Sequence, residues 1–121
     1  MPASKDEIRA FLRQFKAAAR QNLIFPEPDR QKNLIFLLKQ GIAAEERKEI
    51  LLGLRVEDYI HGPESSDRDP KGPRNVWVFG VEYGETETFV RLRLIEEEKE
   101  MYAICISFHE AERPLKFPYR R

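Results

Sequence analysis

One cysteine, Cys105, in a chain of 121 residues excludes an intrachain disulfide and a cysteine-based metal cluster. Only His61 and His109 carry an imidazole, and no ligand spacing for a metal is present, so neither a metal nor a cofactor is expected. There is no Ser-His-Asp set and no glycine-rich phosphate loop. No apolar run approaches the roughly 20 residues that span a bilayer, and the charged N-terminus lacks a secretory apolar segment. A cytoplasmic chain without a membrane partner is the expectation. Nor is one sign of charge in excess: 21 basic and 21 acidic residues balance. That argues against broad, field-driven nucleic-acid binding, yet leaves room for a small basic cleft.

What is present divides the chain into a helical half and a β half. Ser4 followed by Glu7 reads as a capping box, and Ile8, Phe11, Leu12 and Phe15 fall at helical spacing, predicting an amphipathic helix over 5–20. Pro26 and Pro28 interrupt it. Asp29 is a candidate N-cap for a helix over 29–40 with Leu34, Leu37 and Leu38 on its apolar face and Gly41 at its stop. A third helix is predicted over 44–52, ending at Gly53, and one helical turn over 56–59. Residues 61–74 hold three prolines and two glycines and read as a loop. Three strands follow, over 75–83, 86–95 and 101–109, separated by a turn at Gly84 and an acidic turn over 96–100. The expected fold class is α+β: one domain over 1–121, with N-terminal helices packed on a C-terminal three-stranded antiparallel sheet. Pro114 and Pro118 leave 116–121 as an extended basic-aromatic tail.

The last two strands alternate an apolar row with a polar one. Thr88, Val90, Leu92 and Leu94 form one row of the first, opposite Phe89, Arg91 and Arg93; Tyr102, Ile104, Ile106 and Phe108 form one row of the second, opposite Cys105, Ser107 and His109. If the strands pair, Phe89, Arg91, Arg93, Ser107 and His109 share a face. Two guanidiniums, about 7 Å apart from the rise per residue, suit a phosphodiester. The plainer reading pairs them with Glu82, Glu85 or Glu87 across the hairpin. His109 can exchange a proton near neutral pH, and His61 could bring a second imidazole from the loop. Lys71 and Arg74 are candidate backbone-contacting cations. Trp77, Phe79 and Tyr83 share a strand face and read as core, as does the Cys105 thiol.

The blocks Gln40-Gly41-Ile42, Ile50-Leu51-Leu52-Gly53-Leu54, Glu57-Asp58-Tyr59, Trp77-Val78-Phe79-Gly80, Phe89-Val90-Arg91-Leu92 and Ile104-Cys105-Ile106-Ser107-Phe108-His109 together resemble, over about residues 22–111, the MqsR-like toxins of bacterial toxin–antitoxin systems. The resemblance implies a RelE-like α+β fold and a metal-independent mRNA endoribonuclease, acting with or without the ribosome and neutralised by a cognate antitoxin. The family's lysines fall at His61 and His109, its glutamine at Val78 and its tyrosine at Phe89. Taken together with the strand and loop residues above, this makes His109, His61 and Arg91 the expected catalytic residues, with Arg93, Phe89, Ser107, Lys71 and Arg74 as RNA contacts. Two further classes fit the same strands: a non-catalytic RNA- or protein-binding module, and a small interaction protein that buries its aromatic strand face in a dimer.

Overall fold

The structure, a computed structural model, describes residues 2–26, 35, 38, 41 and 44–120. Helix α1, Lys5–Ala19, starts as expected. The Ser4 hydroxyl accepts from Glu7 N at 3.1 Å and the Glu7 carboxylate accepts from Ser4 N at 2.9 Å, satisfying two otherwise orphaned amides. Ile8, Phe11, Leu12, Phe15, Ala18 and Ala19 are its buried face. Strand β1, Leu23–Ile24, follows; helix α2, Ala44–Leu52, and a 3-10 turn, Val56–Asp58, precede β2, Tyr59–Ser65. Then come β3, Arg74–Tyr83, β4, Thr86–Glu97, and β5, Glu100–Glu110. The helix expected over 29–40 lies outside the described residues except at Ile35 and Leu38. Among the described residues no helix is long and apolar enough to cross a membrane.

The sheet corrects the three-stranded antiparallel expectation. Among the described residues it has five strands in the order β1-β5-β4-β3-β2, and it is mixed, because β1 runs parallel to β5. The antiparallel β3-β4-β5 meander is its centre. Both extra strands are edges whose sequences hide them. Two residues are too few to show any alternation, yet Ala103 N donates to Asn22 O at 2.9 Å and the Asn22 side chain donates to Met101 O at 3.1 Å, fastening β1 in place. The segment read as the start of a loop is β2. Its Gly62-Pro63 pair argues against a central strand but is tolerated on an edge, and three register shifts against β3 erase its period.

Helix α1 packs on one face of the sheet. Phe11 stacks on Trp77 at 4.5 Å between ring centroids and lies 6.1 Å from Phe79. Phe79, Val90, Leu92, Ala103, Cys105 and Phe108 are buried beneath. The opposite face is partly covered as well, by the C-terminal tail. Ala111 N donates to Glu87 O at 2.9 Å and Leu115 N to the Glu87 carboxylate at 3.2 Å, drawing the chain back across β4. Leu115 and Phe117 then pass over Gly80, where an added Cβ would meet Leu115 Cδ1 at 2.5 Å and Phe117 Cε1 at 3.1 Å. The absence of a side chain at Gly80 is what lets the tail lie this close. Farther on, the Tyr119 hydroxyl donates to Ala3 O and Arg120 donates to the buried Asp58 carboxylate at 2.9 Å.

Candidate functional site

Opposite α1, the β4–β5 ladder sets Phe89 against His109, Arg91 against Ser107 and Arg93 against Ile104. Residues directly opposite in a ladder point the same way, so Phe89, Arg91, Arg93, Ser107 and His109 do share one face. The route to that arrangement differs from plain alternation. Arg91 pairs with Ser107 but Leu92 pairs with Cys105, leaving Ile106 as an extra residue in a β-bulge. The bulge shifts the phase of β5. Cys105 therefore joins the buried α1 face beside Phe108, while Ile104 moves to the face of Ser107 and His109. The expected odd row of Cys105, Ser107 and His109 is thus corrected by one inserted residue.

An open cleft of about 430 Å³ lies on this face, lined by Asp67, Phe89, Arg91, His109 and the tail residues Ala111 to Leu115. Arg91 is its best-fixed cation. Its side chain is 17% exposed. Nε donates to the buried Ser107 hydroxyl at 2.9 Å, and a terminal nitrogen donates to the Asp67 carboxylate at 2.7 Å. Asp67, from the loop after β2, is 83% exposed and forms an ion pair with Arg91 that no hairpin spacing foretold. His109 packs against Phe89, with ring centroids 5.5 Å apart, and its Nδ1 lies 3.0 Å from Glu110 O. A carbonyl can only accept, so in the neutral ring this contact puts the proton on Nδ1 and leaves the lone pair on Nε2. As diagonal neighbours across the ladder, Arg91 and His109 are about 7 Å apart. Arg113 adds a second guanidinium to the rim, and Glu112 a second carboxylate.

Beyond Asp67 and Arg91 lies a second cleft of about 270 Å³, floored by Ile24, Val76, Ile104 and Ile106 and rimmed by Arg68 and Arg93. Arg93 faces Ile104 where Arg91 faces Ser107, and its buried Nε has no hydrogen-bond partner among the described residues.

The remaining candidates sit elsewhere. His61 is on β2, aligned with Val78 and so two strands from Arg91 and three from β5, roughly 14 Å from the β5 backbone at ordinary strand spacing. Its Nδ1 contacts the Glu64 carboxylate at 2.9 Å. Arg74 begins β3 and donates to Pro63 O at 3.3 Å; Lys71 is exposed in the preceding turn. None of the three lines either cleft. Asp67, Glu112 and Arg113 are the contributors that sequence reasoning missed. They reach the cleft only through the loop and the tail folding over it, and no local pattern marks them. Cys105 is fully buried, and burial pushes its thiol up to about 12, against a smaller opposing effect of Arg47. It is an inert packed thiol rather than a nucleophile. Compared with known proteins, the chain matches no family model, no curated protein and no solved structure.

Proposed function

We propose that this chain is a metal-independent endoribonuclease, a toxin of the MqsR-like kind, acting on mRNA and restrained by an antitoxin partner. The observation that carries the reading is Arg91: a mostly buried guanidinium, pinned by Ser107, that holds a carboxylate oxygen at 2.7 Å within the cleft that also contains His109. The Asp67 carboxylate stands where a phosphate oxygen would go, and an exposed partner of this type is held weakly enough to be displaced.

RNA carries its own nucleophile. His109 Nε2 takes the proton of a 2′-hydroxyl, whose oxygen attacks the adjacent phosphorus. Arg91 stabilises the charge gathering on the phosphorane oxygens, and the 5′-oxygen leaves with a proton to give a 2′,3′-cyclic phosphate. Phe89 offers a ring for a base to stack on. His61, three strands away, is not given the acid role; protonation of the leaving oxygen falls to water. Purified protein should cleave single-stranded RNA in the presence of EDTA, and His109→Ala should lower the rate by about a hundred- to ten-thousandfold. Equal inertness of wild type and His109→Ala, on naked RNA and on translating ribosomes, would sink the reading.

One observation favours a non-catalytic binding module instead. The cleft holds a single imidazole, and Phe89 and the buried Val78 stand where the resemblance implies a hydroxyl and an amide. In that case Arg91→Ala weakens RNA binding at the cleft while no variant changes RNA integrity.

A further inference from the structure

The balanced charge of the chain conceals a strong local asymmetry on α1. Lys5, Arg9, Arg13, Lys16 and Arg20 recur at spacings of four, four, three and four. At 3.6 residues per turn they fall within an arc of about 80°, along about 22 Å of helix. Arg9, Arg13 and Arg20 are exposed, and Lys16 is half-buried with Nζ donating to Leu54 O at 2.5 Å. Arg55, also exposed, joins the row from the segment beside α1, with which Arg9, Arg13 and Lys16 line a shallow groove. The acidic side chains at this surface are few. Asp6 meets Arg9 at 3.1 Å and Glu57 meets Arg55 at 3.8 Å, both from exposed positions. Asp58 is buried; it is engaged by Arg120 and by the backbone of Arg55, and it also meets the Arg55 guanidinium at 3.6 Å.

A helix face that serves only to be solvated usually alternates its charges, since like charges at four-residue spacing destabilise the helix. Here three such pairs stand in succession or nearly so. Their crowding registers on Lys16, whose ammonium is made easier to deprotonate first by burial and then by the neighbouring Arg20. The groove's apolar residues, Leu12, Leu54 and Val56, are buried, so the surface offers no anchor of the kind a protein partner uses. What it offers is a straight row of cations, suited to a polymer of phosphates that binds by releasing counterions.

From this row we infer a second nucleic-acid contact: the Arg9, Arg13, Arg20 and Arg55 face of α1 binds the phosphate backbone of an RNA strand, on the side of the sheet opposite the Arg91 cleft. The choice of RNA over DNA rests on the function proposed for the cleft; the affinity for a phosphate backbone does not. Trp77, stacked on α1, pairs with Leu92, the residue next to Arg91 and pointing the other way, which fixes the two surfaces on opposite faces.

The test uses a fluorescein-labelled 20-nucleotide 2′-O-methyl oligouridylate, which lacks the free hydroxyl and so cannot be cleaved. Its binding to the full chain is followed by anisotropy across a salt series. The Arg9→Gln, Arg13→Gln, Arg20→Gln triple variant should show a log K against log salt slope shallower by about 2, at 0.7 per cation for a single strand. The matching triple Arg→Lys variant should keep the wild-type slope, and Arg91→Ala should keep most of it even if the cleft does no chemistry. A glutamine variant with wild-type slope and affinity overturns the inference. So does competition by polyglutamate as effective, charge for charge, as that by unlabelled oligonucleotide, which would make the row a surface for an acidic protein.

Discussion

Arg91 and Arg93 show how far two identical side chains on one strand face can diverge. Arg91 is opposite Ser107 and gains a hydroxyl acceptor for Nε; Arg93 is opposite Ile104 and leaves Nε buried without one. The difference comes from the residue across the ladder, which neither arginine's own segment specifies. Cys105 makes a similar point in thermodynamic form. The thiol ionises near 9.0 in its reference state and near about 12 when buried here. The unfolded chain therefore loses this proton first as pH rises. The thiol's contribution to stability is intact below about pH 9 and is lost toward pH 12, at about 1.4 kcal/mol per pH unit. Urea denaturation from pH 7 to 11 should show a flatter alkaline decline for Cys105→Ala than for wild type. Iodoacetamide should leave the native thiol unmodified at pH 8.

At the level of elements, α1 and the β4–β5 hairpin were legible because each carries its own period. The hairpin turn is tighter than the acidic run suggested: Glu98 and Lys99 both adopt positive φ, 51° and 69°, as a two-residue turn requires. The bulge at Ile106 and the path of the tail were not legible. Tail residues Ala111 to Leu115 wall the cleft, and their position depends on Gly80. A Gly80→Val side chain would meet the ends of Leu115, Phe117 and Ile60, so the tail should yield before the sheet does. The expected cost is about 1–3 kcal/mol by overpacking. Limited trypsin digestion should then cut after Lys116 faster than in wild type, while Arg113, followed by Pro114, stays resistant. Unchanged digestion would show that the tail does not need Gly80.

Across the whole molecule, Tyr59 ties distant parts together. Its hydroxyl accepts from Ala3 N at 3.0 Å and donates to Gly62 O at 2.6 Å, and its ring contacts Trp77, Phe79 and Tyr119. The N-terminal segment, the edge strand β2 and the C-terminal tail thus meet at one buried side chain. Tyr59→Phe keeps the ring but orphans two backbone groups, a loss of about 1–3 kcal/mol. The denaturation midpoint should fall, with amide exchange rising at Ala3 and the tail together; a change confined to β2 would break the proposed linkage. The sequence by itself determined the helix with its cap, the strand faces that bury Phe79 and Val90, and the alternation that gives Arg91 and His109 to the outer rows of their strands. Each of these is a local pattern repeated at the period of its own element. Only the tertiary structure decided that the described residues form a five-stranded sheet, that Asp67 sits on Arg91, that the tail walls the cleft and that His61 is left outside it. Those outcomes depend on which segments meet across the sheet, and a pairing between distant residues leaves no period in either of them.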